Sequence, residues 1–397
     1  MGKSPINRRN FIRLSAVGAA GGMLMTNVKA SETSRELVGK PALMKDGIIT
    51  RTLGRTGLVI PVISLGVMRV DNPKLVTGAL DGGIKFLDTA NGYQGGRNEE
   101  MLGVLLKDRP RDSFLIATKI SARGDEMSTA SFLQKLDTSL KRLNLDHVDI
   151  LYLHGASNKQ YTLNENHLAA LRKAKESGKT RFVGVSTHEN MTEIINTIRE
   201  SGFYDVVLTS YNFRMASDVA MNKAIEDAAK AGVGIVAMKT MAGGFWDKAR
   251  TQAINTTAAL KWALQNPHIT TSIPGCTAFE HLEENLKTLK DITLSDRELE
   301  DLKEKPATSG LFCSGCQQCL ADCPKGLRIP DMMRAYMYAY GYKDLELARI
   351  TMDETKAGND PCQGCLSCNV NCKMGFNVAE KIADISRISN VPMDLIA

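Results

Sequence analysis

From residue 60 onward, short β-branched runs alternate with amphipathic helical patterns, and the alternation repeats eight times before residue 290. The strand-like runs are 62–66, 85–89, 114–119, 148–154, 181–186, 205–209, 234–239 and 270–274. Between them, segments such as 131–143, 166–175, 191–200, 218–230 and 278–289 carry apolar residues at helical spacing. Strand followed by helix, repeated, is the mark of parallel βα units. Eight units predict a closed (β/α)8 TIM barrel, with a doubly wound open sheet as the alternative. No G-x-G-x-x-G follows the first strand, which counts against the open sheet. Ahead of the barrel, Thr52-Leu53-Gly54-Arg55-Thr56-Gly57-Leu58 has two glycines at turn spacing and reads as a hairpin plugging the barrel bottom.

The chain has 397 residues, too many for the barrel alone, so an appendage is expected. Eight of its nine cysteines form two runs, Cys313-x2-Cys316-x2-Cys319-x3-Cys323 and Cys362-x2-Cys365-x2-Cys368-x3-Cys372. Triplets with a trailing fourth are the ferredoxin pattern for 4Fe-4S clusters. Structural zinc is the competing reading, but it uses two separated Cys pairs. In two-cluster ferredoxins the fourth Cys of each run serves the other cluster. That expectation puts Cys372 with Cys313, Cys316 and Cys319, and Cys323 with Cys362, Cys365 and Cys368. The 38 residues between the runs include helical patterns at 331–340 and 345–353. The region resembles the mostly α-helical ferredoxin-like domain of respiratory dehydrogenases. The ninth thiol, Cys276, follows the eighth strand.

The formal charge of +6 is an N-terminal effect: Lys3, Arg8, Arg9, Arg13 and Lys29 account for five of it, and residues 1–30 contain no acid. The remaining +1 leaves no electrostatic footprint for nucleic acid. Asn7-Arg8-Arg9-Asn10-Phe11-Ile12-Arg13, a mild apolar stretch and Val28-Lys29-Ala30 together resemble a twin-arginine export signal. The resemblance implies export of the folded protein by the twin-arginine translocase to the periplasm. The apolar run falls short of a bilayer span, so no membrane span is expected in the mature protein. The expected organisation is signal 1–30, N-terminal linker 31–48, barrel 49–302, linker 303–310 and ferredoxin-type domain 311–397.

In a (β/α)8 barrel, chemistry sits at the C-terminal ends of the strands. Asp88 ends the second strand, Tyr93 lies five residues on, Lys119 ends the third strand and His154 the fourth. Singly these are a cap, a surface phenol, a snorkelling lysine and a core histidine; at successive strand ends they form a set. With the segments Gly83-Ile84-Lys85-Phe86-Leu87-Asp88-Thr89-Ala90-Asn91-Gly92-Tyr93, Asn98-Glu99-Glu100, Ala117-Thr118-Lys119, Asp149-Ile150-Leu151-Tyr152-Leu153-His154, Val183-Gly184-Val185-Ser186, Ile273-Pro274-Gly275 and Glu284-Asn285, residues 50–300 resemble the aldo-keto reductase superfamily. The resemblance implies that Tyr93 is the general acid for carbonyl reduction by a nicotinamide nucleotide. Lys119 would lower its pKa, Asp88 would hold Lys119 by ion pairing, and His154 would orient the carbonyl oxygen.

The family's Ser-Asn, Gln and Tyr around the nicotinamide correspond here to Ser186-Thr187, Leu208 and Met238, of which only Ser186 is retained. Thr187 offers a hydroxyl donor. Lys239 and Thr240 are placed for the cofactor pyrophosphate, and Glu284 and Asn285 match the adenine contacts. Gly275-Cys276-Thr277 replaces the usual Lys-Ser-x, and His281 stands where Arg is common. Without Lys or Arg there, NAD(H) is favoured over NADP(H). The expected activity is hydride transfer between nicotinamide and a small-molecule carbonyl or alcohol, with two 4Fe-4S clusters serving electron transfer or structure. A redox partner protein would exchange electrons with the clusters. The alternative is an electron-transfer iron–sulfur protein whose barrel is catalytically degenerate.

Overall fold

Eight parallel strands hydrogen-bond in sequence order: β4 Leu65–Gly66, β5 Phe86–Asp88, β6 Leu115–Ser121, β7 Val148–Ala156, β8 Thr180–Thr187, β9 Val206–Ser210, β10 Gly234–Met238 and β11 Thr271–Ser272. The last returns to the first through bridges Ile63↔Ser272 and Gly66↔Gly275, so the sheet closes. A computed structural model describes residues 42–43, 47–122, 127–303 and 310–396. The expected export signal, most of the N-terminal linker, residues 304–309 of the inter-domain linker and residues 123–126 of the loop after β6 lie outside the described residues.

Every expected strand is present within two residues of its expected bounds, except that β4 and β11 shrink to two residues each. Their neighbours pair through isolated bridges instead, because the closing seam must accommodate the curvature of the barrel. Phe86, Ile150, Tyr152, Val206, Leu208, Val236 and Met238 fill the interior, while Ile, Val and Leu on the outer face pack under the helices. Each strand is therefore buried on both faces and reads as a continuous apolar run.

The expected plug forms from β1 Ala42–Leu43, β2 Ile49–Thr52 and β3 Val59–Pro61, an antiparallel sheet. Its turn is a 3-10 segment, Gly54–Thr56, flanked by Gly57 at φ 69°. Leu53 is fully buried against the barrel floor, a side-chain burial worth about 1.5–3 kcal/mol. Arg55 donates to the Tyr204 carbonyl and pairs with Asp205 at the floor, fixing the plug beneath β9 and β10.

After the barrel, helix Ile329–Tyr336 packs against both Leu345–Asp353 and Val378–Ser386, burying Met332, Met352, Ile382 and Ile385. The pattern at 331–340 resolves into an α-helix followed by a π-helical turn, Met337–Tyr342. Barrel and C-terminal region fall in one compact unit. Among the described residues no helix is long and apolar enough to cross a membrane.

The two parts meet at the strand ends. Gly315 accepts a hydrogen bond from Asn190 N at 2.8 Å, and a Cβ at Gly315 would lie 2.2 Å from the His188 carbonyl oxygen. Arg334 donates to Glu189 at 2.8 Å and also pairs with Asp331, bringing a C-terminal helix onto the loop after β8. Because Gly315 also sits at φ 64°, Gly315→Ala meets both backbone strain and a rigid carbonyl. We expect a loss of about 1–3 kcal/mol, read as a lower thermal midpoint of the cluster-loaded protein. An unchanged midpoint would contradict this account of the contact.

Candidate functional site

The Tyr93 loop is pinned before any chemistry is considered. Its residues Gln94, Gly95 and Gly96 all have positive φ, and the Gln94 amide donates to the carbonyls of Met68 and Val70. Arg142 donates to the Asn91 carbonyl at 3.0 Å and pairs with buried Glu99, whose other oxygen accepts from Thr118 at 2.6 Å. Asn98 accepts from Thr89 and donates to the Val67 carbonyl. This explains the Asn98-Glu99 motif as loop support rather than chemistry. Arg142 was not singled out from the sequence, where it reads as one of several exposed helix charges.

Lys119 gathers the expected set. Its Nζ donates to Asp88 Oδ2 at 2.5 Å, to the Thr89 carbonyl at 2.7 Å and to the Tyr93 hydroxyl at 3.1 Å. Lys119 and Asp88 are almost wholly buried, whereas Tyr93 and His154 are partly exposed at the mouth. The Tyr93 and His154 rings meet edge to face, with centroids 6.0 Å apart. Between Leu153 and Ala156 the β7–β8 register shifts, with Gly155 at φ 70°, an irregularity of the kind that re-aims side chains at strand ends. Burial would lower the Lys119 pKa, but Asp88 and Tyr93 raise it, and the net shift is upward. The lysine stays charged.

Lys119 lowers the Tyr93 pKa as expected, but it does not set the net direction. Burial raises its pKa, Lys119 lowers it, Asp88 raises it again, and the net direction is up. A phenolate half-buried at this mouth loses much of its hydration, and one ammonium shared with a carboxylate does not replace that loss. At neutral pH Tyr93 therefore carries its proton, as an acid must. Its oxygen accepts from Lys119, leaving the O–H free for a substrate.

The expected nucleotide residues are arranged differently from one another. Ser186 Oγ accepts from Gly155 N at 3.0 Å and keeps its own proton. Thr187 does not supply the hydroxyl donor expected from sequence: its proton is directed at the carbonyls of Ala156, 2.7 Å, and Glu189, 2.8 Å. Leu208 and Met238 line the barrel interior. Thr240 is buried and accepts from Ser272. Lys239, at φ 55°, turns to the Tyr338 hydroxyl, 3.3 Å away. Gly275 and Thr277 are exposed before helix Phe279–Lys290, Cys276 is buried with its thiol pushed up to about 11, and Glu284 accepts from Thr256. Asn285 is buried, and among the described residues its Nδ2 has no partner. A buried amide left unpaired is costly, so a ligand acceptor at this point fits the residues present.

The cysteine thiols of the two runs lie near one another in the C-terminal region. Burial raises the Cys313 thiol to about 12, with Cys372, Cys319 and Cys316 close enough to push it further. Cys362 is raised by burial and then by Cys365, Cys368 and Cys323. Cys372 thus lies near the first run, and Cys323 lies near Cys362 of the second run as well as Cys319 of its own. Among the described residues no three His, Cys, Asp or Glu side chains close around a single-ion centre. The first group is partly buried against the barrel, whereas Cys365 and Cys368 are exposed.

The chain matches the aldo/keto reductase family over residues 64–257 and a 4Fe-4S dicluster domain over residues 312–377. It carries an aldo-keto reductase domain and a 4Fe-4S dicluster domain. It is an NAD(P)-dependent oxidoreductase. The L-galactose dehydrogenase of Arabidopsis thaliana is 28% identical over 299 residues, 65% of this chain and 93% of that protein. The L-glyceraldehyde 3-phosphate reductase of Escherichia coli K12 is 28% identical, over 66% and 93% of the two chains. A solved aldo-keto reductase structure from Pseudomonas aeruginosa superposes with a TM-score of 0.52 at 25% identity, covering 61% of this chain and 95% of that one. These relatives align with about two thirds of this aldo-keto reductase-containing chain.

Proposed function

We propose that the protein is an exported, periplasmic oxidoreductase that interconverts a small carbonyl and its alcohol, with Tyr93 as general acid and base. The observation that carries this reading is Lys119, whose buried ammonium joins Asp88, the Thr89 carbonyl and the Tyr93 hydroxyl at the barrel mouth. Tyr93 gives its proton to the carbonyl oxygen as that oxygen gains charge, and takes it back in the reverse direction. Lys119 stabilises the phenolate left behind, Asp88 keeps Lys119 in place, and His154 faces the same oxygen. A nicotinamide nucleotide, when bound, supplies or removes hydride, and the clusters, when bound, carry single electrons.

Ser186, Gly275, Thr277, Glu284 and Asn285 would hold the nucleotide. Two clusters are supported by the two cysteine runs, and the exposed Cys365 and Cys368 suit exchange with a redox partner protein. Export by the twin-arginine translocase rests on residues 1–30. Both relatives named above are named for sugar or hydroxyaldehyde substrates, so hydroxylated carbonyls are the first class to try.

A second reading, an electron-transfer protein with a degenerate barrel, draws on the commitment of the Thr187 hydroxyl to backbone carbonyls. The two part on one measurement with anaerobically purified protein: nucleotide-dependent reduction of a carbonyl panel supports the enzyme, and its absence supports the second reading. In the same preparation NADH is expected to bind at least as tightly as NADPH, because the exposed end at Thr277 and His281 offers no Lys or Arg for a 2′-phosphate. A hundredfold tighter dissociation constant for NADPH would overturn the preference.

A further inference from the structure

The barrel mouth holds a second lysine–tyrosine pair, and its tyrosine comes from the C-terminal domain. Lys239 follows β10 directly, and its Nζ donates to the Tyr338 hydroxyl at 3.3 Å. The same ammonium lies 4.7 Å from the centroid of the Tyr338 ring and 5.6 Å from that of Tyr342. The π-helical turn Met337–Tyr342 sets these two rings 5.8 Å apart on one side. Their segment is tied down at two loops of the mouth. Arg69, in the loop after β4, donates to the Tyr342 carbonyl at 2.7 Å and pairs with Asp344 at 3.3 Å. Gly341 packs so closely on the Gly243 carbonyl that a Cβ would lie 2.8 Å from it.

The pair repeats the chemistry of Lys119 and Tyr93. In each, a phenol oxygen accepts from a charged ammonium and keeps its own proton. Among the described residues Lys239 has no carboxylate partner and the Tyr338 oxygen has no second hydrogen bond. Burial would lower the Lys239 pKa, but Tyr338 and Tyr342 raise it, and the net direction is up. The loop of Arg69 also accepts from Gln94, next to Tyr93, through the carbonyls of Met68 and Val70, so it joins the Tyr338–Tyr342 segment to the Tyr93 loop. Tyr93, His154 and Lys239 remain partly exposed at the mouth, and Tyr338 is buried beside Lys239.

We propose that Tyr338 is a substrate-contacting residue of the barrel site, donating a hydrogen bond to a second oxygen beside the carbonyl that Tyr93 protonates. The C-terminal domain thereby selects α-oxygenated carbonyl compounds, hydroxyaldehydes and hydroxyketones, over plain aldehydes. This inference rests on the assignment of Tyr93 as general acid.

The test uses the anaerobically purified holoenzyme with NADH, glyceraldehyde and propanal, which share chain length and differ in hydroxyl groups. Wild-type protein should prefer glyceraldehyde by about tenfold or more in kcat/KM, and Tyr338→Phe should erase that preference, chiefly through KM. Propanal turnover, iron content and visible absorption should stay unchanged. Equal losses on both aldehydes, or no loss on either, would assign Tyr338 a structural role and overturn the proposal. Calorimetric binding of 1,2-propanediol and 1-propanol to the wild type covers two cases: a variant that loses its iron, and aldehydes that are not turned over. A tighter diol supports the proposal and equal affinities refute it. Tyr93→Phe separates the two assignments: it should abolish reduction of both aldehydes, and if it does not, the general-acid assignment fails instead.

Discussion

Tyr93→Phe should lower kcat for carbonyl reduction by about 10²–10⁴-fold, equivalent to about 3–5 kcal/mol of barrier. The ring keeps its edge contact with His154 and its place above Lys119, so the loss isolates the proton. Nucleotide affinity and iron content should not change, since neither the Asn285 region nor the cysteines touch that hydroxyl. The pH profile adds a second check. The Tyr93 pKa is raised, first by burial and against the pull of Lys119. The acid form therefore persists through neutral pH, and the wild-type reduction rate should decline only above about pH 10, the ordinary phenol value. A rate that falls between pH 7 and 9 would mean that the phenol is lowered after all.

Substituting the trailing cysteines should expose the crossed ligation directly. The intact protein is expected to carry about eight irons, four in each of two cubanes. Cys372→Ser should damage the cluster built on Cys313, Cys316 and Cys319, next to the barrel. Cys323→Ser should damage the one built on Cys362, Cys365 and Cys368. Each variant should retain about half the iron, with different remaining electron-paramagnetic-resonance signals after reduction. The consequences for stability should also differ. The Cys313 group lies beside Gly315, which packs on the His188 carbonyl, whereas Cys365 and Cys368 face outward. Cys372→Ser should therefore weaken the docking of the domain on the barrel more than Cys323→Ser does. Loss of the same cluster from both variants would refute the crossed scheme.

Much of the barrel was legible because it is governed by local periodicity. Strand 148–154 extends to Val148–Ala156, and the pattern at 345–353 is the observed helix without change. Asp88, Lys119 and His154 were recognisable because strand ends can be counted, and Tyr93 because it follows Asp88 at a fixed distance. The cysteine runs were legible for the same reason, their spacing being set by the reach of thiolates around a cubane. Arg142 left no such signal, since one arginine on an amphipathic helix looks like any other.

Sequence by itself thus determined the eightfold alternation, the set Asp88, Tyr93, Lys119 and His154 near the C-terminal ends of the strands and the two cysteine runs, all properties of neighbours along the chain. Tertiary structure decided where those parts point. Thr187 lost its donor to the carbonyls of Ala156 and Glu189, and Lys239 turned from the expected pyrophosphate position to Tyr338, 99 residues away. The net pKa of Tyr93 also depended on the docked fold, because burial is a sum over all surrounding atoms and outweighed the single charge that the motif supplies. Hydrogen-bond partners and desolvation belong to three-dimensional neighbours, and no spacing along the chain encodes them.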